Sequence, residues 1–154
     1  MKVFLSDAAI RQIQQECLLF KTVETGGILL GYNAKNSIVI THATGPGPAA
    51  EHTEESLTMD LEYITRELRH FETQKQWGYE GNWHTHPRAK LIAPSDTDII
   101  LMRDVVDSGS YDVDSAVCLI APEAPKKLAD LHTFVFRRGR QRFEEVRPRK
   151  FILV

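Results

Sequence analysis

Two histidines one residue apart and a carboxylate further along are the residues of this chain whose types and spacing could do chemistry. His84 and His86 flank Thr85, and Asp98 follows. Side chains alternate along an extended segment, so both imidazoles would point to the same side. Two imidazoles and a carboxylate can hold a hydrolytic zinc ion with a fourth position left for water. The pattern therefore predicts a three-ligand zinc site.

Each part of this pattern also has an interpretation without a metal. A His-x-His pair is compatible with two surface histidines on a strand. Ser95 and Asp98 have the spacing of a capping box, in which the serine side chain and the acid satisfy the first backbone N–H groups of a helix. A capped helix start also fixes a carboxylate in place, so the capping and ligand roles of Asp98 are compatible. The combination of these residues within one short stretch favours the metal site.

A general base must accompany such a site, because hydrolysis requires a group that takes a proton from water and returns it to the leaving amine. Glu24 is the first candidate, since it precedes two glycines at the entrance of an otherwise apolar strand. Glu80 is the rival, four residues before His84. Ser95, besides capping a helix, could donate a hydrogen bond to the oxyanion of a tetrahedral intermediate.

The elements that must position these residues follow from hydrophobic periodicity and from turn and cap signals. Steps of three and four residues between apolar positions predict helices, and apolar or alternating runs predict strands. We expect helices over 6–20, 57–75 and 95–107, and strands over 2–5, 23–32, 37–41, 77–86, 116–120, 131–136 and 143–146. The apolar tail 151–154 is expected to pack as a last strand or against a partner. Gly26 and Gly27 inside a strand pattern indicate a bulge or a close approach of another backbone.

Length and composition bound the class of protein. The chain has 154 residues, of which 42% are hydrophobic and 26% charged, as expected for one globular domain over residues 1–154. The net charge of -2 gives no overall indication of nucleic-acid binding. No apolar run approaches the roughly 20 residues of a membrane helix, and the N-terminus lacks the pattern of a signal peptide.

Two smaller features carry their own expectations. Cys17 and Cys118 lie in apolar surroundings, which indicates buried thiols in a reducing cytoplasm, with a disulfide between them as the alternative. Residues 137–150 contain seven basic and two acidic residues, a net charge of +5. Because no aromatic residues interleave at the tip, a solvated turn or a contact for an acidic protein partner is favoured over a nucleic-acid patch.

The motifs together resemble the signature of the JAMM metalloproteases, the MPN/JAB domain family, in its compact bacterial branch. The matching segments are Glu24-Thr25-Gly26-Gly27, then His84-Thr85-His86-Pro87, then Ser95-x-x-Asp98. The resemblance implies an α+β fold, a curved mixed sheet flanked by helices and similar to the cytidine deaminase architecture. It also implies Glu24 as base, His84, His86 and Asp98 as zinc ligands, and Ser95 as oxyanion donor. The interval from His86 to Ser95 is one residue longer than in the family, which leaves Asp96 as an alternative ligand.

The same resemblance implies a substrate. It points to hydrolysis of an isopeptide or peptide bond after the C-terminal tail of ubiquitin or a ubiquitin-like protein, with Gly26, Gly27 and residues 44–56 as walls of the tail's groove. Partners would include adenylating or conjugating enzymes encoded nearby, as in antiphage operons. The alternatives are a hydrolase of sulfur-carrier tails or short peptides, and a metal-free protein-binding module. A zinc nucleobase deaminase is disfavoured, because Cys118 has no companion in a Pro-Cys-x-x-Cys motif.

Overall fold

A computed structural model describes all residues 1–154 and shows ten strands and three α-helices. The strands are β1 (Lys2–Ser6), β2 (Gly26–Ala34), β3 (Ser37–Ala43), β4 (Glu51–His52), β5 (Leu57–Thr58), β6 (Gly78–Thr85), β7 (Ser115–Ala121), β8 (His132–Arg137), β9 (Glu144–Val146) and β10 (Arg149–Phe151). The helices are α1 (Asp7–Leu19), α2 (Leu61–Lys75) and α3 (Asp96–Asp107), with a short 3-10 helix at Leu128–Asp130.

Eight strands form one mixed sheet in the order β10-β1-β3-β2-β6-β7-β8-β9, and β4 and β5 pair in a separate hairpin. Strands β6 and β7 are parallel, whereas β2 runs antiparallel to both of its neighbours. Alternate residues of β7 enter two different core clusters: Val117 packs with α1, and Cys118 packs with α3. Helix α1 therefore covers one face of the sheet, and α3 the other.

Helix α2 shares the face of α3. Ile64 of α2 packs with Ile28 and Leu30 of β2, while Leu29 between them joins the cluster of α1. The sheet is therefore a middle layer between helices on both sides, and the predicted α+β fold with a mixed sheet flanked by helices is confirmed. None of the helices has both the length and the apolar composition needed to cross a bilayer.

The predicted start of the second helix is wrong. Leu57 fits the apolar periodicity, but it lies in β5, where it pairs with His52. The helix begins four positions later at Leu61, because the side chain of Asp60 accepts a hydrogen bond from the N–H of Tyr63 and so caps it. Leu57 and Thr58 instead complete a small hairpin that lies beside the entrance of β2.

The paired glycines mark a close approach of two backbones and not a bulge. A Cβ on Gly26 would lie 2.2 Å from the carbonyl oxygen of Trp83, and one on Gly27 would lie 2.0 Å from that of Thr44. The register shifts of β2 fall further along, at Leu29 to Gly31. Of the two expectations for this stretch, the close approach is confirmed.

The basic segment after β8 is partly structural. The guanidinium of Arg138 donates to the carbonyl oxygens of Val106 and Val113 and forms an ion pair with Asp114 at 2.8 Å. It thereby ties the turn to the end of α3, because Val106 belongs to that helix. The predicted tail strand also differs: it is β10, over Arg149–Phe151, and it pairs in parallel with β1.

Candidate metal centre

The first two candidate ligands come from the carboxyl end of β6. His84 lies in the strand opposite Gly26 of β2, and Thr85 is the last strand residue. His86 follows directly, with its N–H donating to the carbonyl oxygen of Ala121 at 3.1 Å. Pro87 cannot donate to the ladder, which is consistent with the strand ending here. Both imidazoles are mostly buried, with 15% of the His84 side chain exposed and 17% of that of His86.

The third candidate ligand comes from the start of α3. Ser95 Oγ accepts from the N–H of Asp98 at 3.1 Å, and Asp98 Oδ2 accepts from the N–H of Ser95 at 2.9 Å, so the capping box is present. This reciprocal pair fixes the orientation of the Asp98 carboxylate in the first turn of the helix. The capping interpretation of the sequence is therefore correct, and it also explains how the carboxylate is aimed.

Three ligand atoms from these elements converge. Nε2 of His84 lies 2.9 Å from Nε2 of His86 and 3.1 Å from Oδ2 of Asp98, and Nε2 of His86 lies 3.4 Å from the same oxygen. Tetrahedral zinc with bonds of about 2.0–2.2 Å keeps its ligands roughly 3.3 Å apart. Imidazole nitrogens and a carboxylate are also donors that zinc prefers. The residues therefore fit a tetrahedral metal ion in both spacing and chemistry.

The electrostatics of Asp98 agree with a site for positive charge. Burial alone would raise the pKa of this carboxyl group, but hydrogen bonds from His84 and His86 outweigh burial and hold its pKa well below the usual range. The carboxylate is therefore ionised at any physiological pH. Asp96, the alternative ligand, is exposed at the start of the same helix and makes none of these contacts.

Glu24 lies beside the two imidazoles. Its carboxylate and the ring nitrogens of His84 and His86 all lie within 4.8 Å of one another, a grouping that could itself hold a metal. Asp98 contacts both imidazoles more closely, at 3.1 and 3.4 Å, which favours Asp98 as the ligand and leaves Glu24 as a neighbour of the metal position. Burial raises the pKa of Glu24, opposed by the charges of His84 and His86. A raised pKa brings a carboxylate closer to the range useful for proton transfer.

Glu80, the rival base, is not part of this cluster. It is buried, with 5% of the residue exposed, and its Oε2 accepts from Nδ2 of Asn33 at 2.5 Å. Burial raises the pKa of its carboxyl group to about 8, an effect that the Asn33 hydrogen bond opposes. Gly26 is buried against β6 and Gly27 against Thr44, and their predicted contact with a substrate stays a prediction.

The sequence did not predict two residues outside the motifs, His52 and Thr53, that form hydrogen bonds with the main chain of Glu24. The N–H of Glu24 donates to the carbonyl oxygen of Thr53 at 2.7 Å, and Nδ1 of His52 lies 2.8 Å from the carbonyl oxygen of Glu24. Both contacts come from the β4–β5 hairpin, in a segment for which the sequence predicted neither a helix nor a strand before residue 57. No sequence signal could have found them, because the partner atoms on Glu24 belong to the main chain.

The three-layer fold and the imidazole–carboxylate cluster are those of a metal-dependent hydrolase domain. Residues 6–136 match the family model of the prokaryotic homologs of the JAB domain, and the chain belongs to that family. The resemblance inferred from the Glu24, His84–His86 and Ser95–Asp98 motifs is thereby confirmed, and the family implies a metal ion at this site.

Two relatives carry names that state an activity. The chain is 30% identical over 109 residues to "Probable metalloprotease y4qB" of Sinorhizobium fredii, an alignment that covers 69% of this chain and 66% of that protein. It is 28% identical over 142 residues to the "CD-NTase/cGAS isopeptidase" of Enterobacter hormaechei, covering 89% and 76%. At the level of class, these names agree with the expected JAMM-type hydrolase.

Among solved structures, the fold resembles the solution structure of protein DSY2949 from Desulfitobacterium hafniense. The TM-score is 0.70 at 16% sequence identity, and the match covers 99% of this chain and 94% of that one. At this identity the likeness shows the fold alone. It agrees with the predicted α+β architecture over the whole of the chain.

Proposed function

We propose that this chain is a zinc-dependent isopeptidase or peptidase that hydrolyses the bond after the C-terminal tail of a ubiquitin-like protein. The observation that carries the proposal is the convergence of Nε2 of His84, Nε2 of His86 and Oδ2 of Asp98 within 3.4 Å, next to the Glu24 carboxylate. The relative named an isopeptidase supports the type of bond.

His84, His86 and Asp98 would hold the ion. When bound, zinc acts as a Lewis acid and lowers the pKa of a water molecule to about 7. Glu24 takes a proton from the attacking water and returns it to the amine nitrogen as the carbon–nitrogen bond breaks. A carboxylate just outside the ligand set can carry out both transfers, because it lies near the metal position without being held by it.

Ser95 stabilises the oxyanion. Its Oγ already accepts from the N–H of Asp98 at 3.1 Å, so the hydroxyl proton is free to donate to a substrate oxygen. Ser95 is exposed, which leaves this hydroxyl accessible to a bound peptide. A positioned donor of this kind typically contributes about 10²–10³-fold in kcat, because it meets the charge that develops in the transition state.

The substrate is a flexible tail of small residues. An extended tail can bind beside a sheet edge through its main chain, which requires little from its side chains. Residues 44–56, which include β4 and the turn to β5, would line this groove. The partner class is therefore a ubiquitin-like protein or its conjugate, together with the adenylating and conjugating enzymes that produce it.

Metal content and cleavage together test the proposal. Purified protein should bind one zinc per chain by elemental analysis and should release a fluorescent lysine peptide joined by an isopeptide bond to a ubiquitin-like tail. Glu24→Gln should retain the zinc and lose at least about 100-fold in kcat, the range of a lost general base. Absence of zinc, or undiminished cleavage after chelation, contradicts the proposal.

A comparison of two substrates determines which kind of bond the protein cleaves. The same tail is offered once joined to a lysine side chain and once extended by a short linear peptide. Preference for the first indicates deconjugation, and preference for the second indicates processing of a precursor or of a sulfur-carrier tail. Cleavage of neither, with zinc bound, contradicts the assignment of the substrate class and leaves the metal site standing.

A further inference from the structure

We propose that His52 is a positioning residue for Glu24, and that the β4–β5 hairpin, together with the attachment of Thr25 to β6, sets where this carboxylate stands. The inference rests on the proposed role of Glu24 as the base. It goes beyond that role because His52 lies outside every motif that defines the site. The hairpin, which the sequence predicted only as a wall of the substrate groove, would then also contribute to the reaction.

Both polar main-chain atoms of Glu24 are hydrogen-bonded to this hairpin. Glu24 precedes β2 and lies in no strand, so it has no sheet ladder of its own. Its N–H donates to the carbonyl oxygen of Thr53 at 2.7 Å, and its carbonyl oxygen accepts from Nδ1 of His52 at 2.8 Å. Two neighbouring residues thus satisfy both polar atoms of Glu24. The ring must carry its proton on Nδ1, because a carbonyl oxygen can only accept.

The ring of His52 is itself held from a third element. It stacks on Phe20, with ring centroids 3.9 Å apart and planes 9° from parallel. Phe20 directly follows the last residue of α1, and both rings are half-buried. A stacked ring has few alternative orientations, so Nδ1 stays directed at Glu24. Helix α1, the hairpin and the base are linked through this one side chain.

The hydrogen bonds of the hairpin's turn and its exposed ion pair do not reach Glu24. Its strands have two residues each, and its turn is closed by Thr53 and Ser56. The ion pair between Glu54 and Arg88 spans 3.5 Å, with both side chains more than 60% exposed, and such pairs contribute little. The His52 bond is therefore one of two hydrogen bonds between the hairpin and Glu24, and the only one of the two that a side chain makes.

A small shift of Glu24 would be costly for the reaction. A misplacement of roughly 1 Å at a reacting group can lower the rate about 100-fold, because proton transfer depends steeply on distance and angle. Loss of the His52 hydrogen bond should therefore reduce kcat and leave the zinc ligands, which belong to β6 and α3, unchanged. A lower kcat with unchanged KM and zinc content distinguishes positioning from a role in binding.

Two substitutions separate the hydrogen bond from the stack. His52→Phe keeps an aromatic ring against Phe20 and removes the donor. His52→Asn removes the ring and keeps an N–H near the position of Nδ1. We expect His52→Phe to lower kcat about 10–100-fold, the range of an indirect positioning effect, and His52→Asn to retain kcat within about threefold by the same argument. His70→Phe, an exposed histidine of α2, is the matched control and should leave kcat unchanged.

A second readout needs no activity. Amide hydrogen exchange of the Glu24 N–H, measured by NMR, should be about tenfold faster in His52→Phe and unchanged in His52→Asn, since exchange reports opening of the segment that the bond holds. Equal kcat in His52→Phe and wild type, or equal losses in both variants, overturns the inference. If wild type cleaves no substrate but the exchange pattern holds, the proposed function fails and the positioning of Glu24 stands.

Discussion

Thr25 and Thr85 are joined by three hydrogen bonds between segments 60 residues apart, the longest of them from the Thr85 hydroxyl to the carbonyl oxygen of Thr25 at 3.4 Å. The N–H of Thr25 donates to Oγ1 of Thr85 at 3.0 Å, and the N–H of Thr85 donates to the carbonyl oxygen of Thr25 at 2.9 Å. Thr25 follows Glu24, and Thr85 separates the two histidines. This pair therefore sets the register between the candidate base and the candidate ligands.

Removing the Thr85 hydroxyl should weaken that register. Thr85→Val keeps the shape but leaves the buried N–H of Thr25 without its acceptor, which costs about 1–3 kcal/mol. We expect the free energy of unfolding, measured by denaturant titration, to fall by that amount, and kcat to fall with it. Thr85→Ser keeps the hydroxyl and is the control. Equal stability of the Val and Ser variants would mean that the hydroxyl bond contributes nothing.

The choice between Asp98 and Asp96 as ligand can be tested directly. Asp98→Asn keeps an oxygen that can accept from the Ser95 N–H, so the helix cap survives while the anionic ligand is lost. Zinc affinity, measured by competition with a chelator, should fall by more than the roughly 100-fold that altering a ligand's hydrogen-bond partner can cost. Asp96→Asn should leave the affinity unchanged. The reverse result would move the ligand to Asp96.

The close approach at Gly26 predicts an intolerant position. A Cβ there would lie 2.2 Å from Trp83 O and 2.9 Å from His84 Cα, both main-chain atoms that cannot rotate away. We expect Gly26→Ala to lower the free energy of unfolding by about 3 kcal/mol or more, at the upper end for overpacking, and to displace His84. Gly78, where an added Cβ would meet nothing within 4 Å, gives the control Gly78→Ala. Equal melting temperatures of the two variants would contradict the predicted clash at Gly26.

Glu80 predicts a pH dependence of stability. Burial raises the pKa of its carboxyl group in the folded state to about 8, from an ordinary value of 4.5. The folded protein thus holds a proton that the unfolded chain releases, and stability is lost as the pH rises through this window, by at most about 1.4 kcal/mol per unit. Below about pH 4.5, the ordinary pKa of a glutamate, the full contribution of Glu80 to the free energy of unfolding is present.

Replacing Glu80 with glutamine should remove this dependence. Glu80→Gln cannot ionise and can still accept from Asn33, so its melting temperature should exceed that of wild type at pH 9 and match it near pH 4.5. The exposed Glu62→Gln on α2 is the matched control and should follow the wild-type curve. If the melting temperatures of wild type and Glu80→Gln change in parallel with pH, Glu80 is not the source of the pH dependence.

The sequence alone determined what depends on neighbouring residues. Helices α1 and α3 begin where Ser6 and Ser95 cap them, because a cap bond joins residues only three apart. His84, His86 and Asp98 fall within one strand–loop–helix unit, so their spacing was enough to predict that they converge. Cys17 and Cys118 are free and buried, as expected, and they belong to core clusters on opposite faces of the sheet.

The tertiary structure decided what depends on distant segments. Periodicity placed Leu57 in a helix, but its pairing with His52 keeps it in a strand, and periodicity carries no information about such pairing. Glu24 could be brought to the histidines only by the antiparallel pairing of β2 with β6. His52 reaches Glu24 through a main-chain oxygen, an atom that every residue possesses. No side-chain pattern can reveal a contact of that kind, because the chain must fold before the two atoms meet.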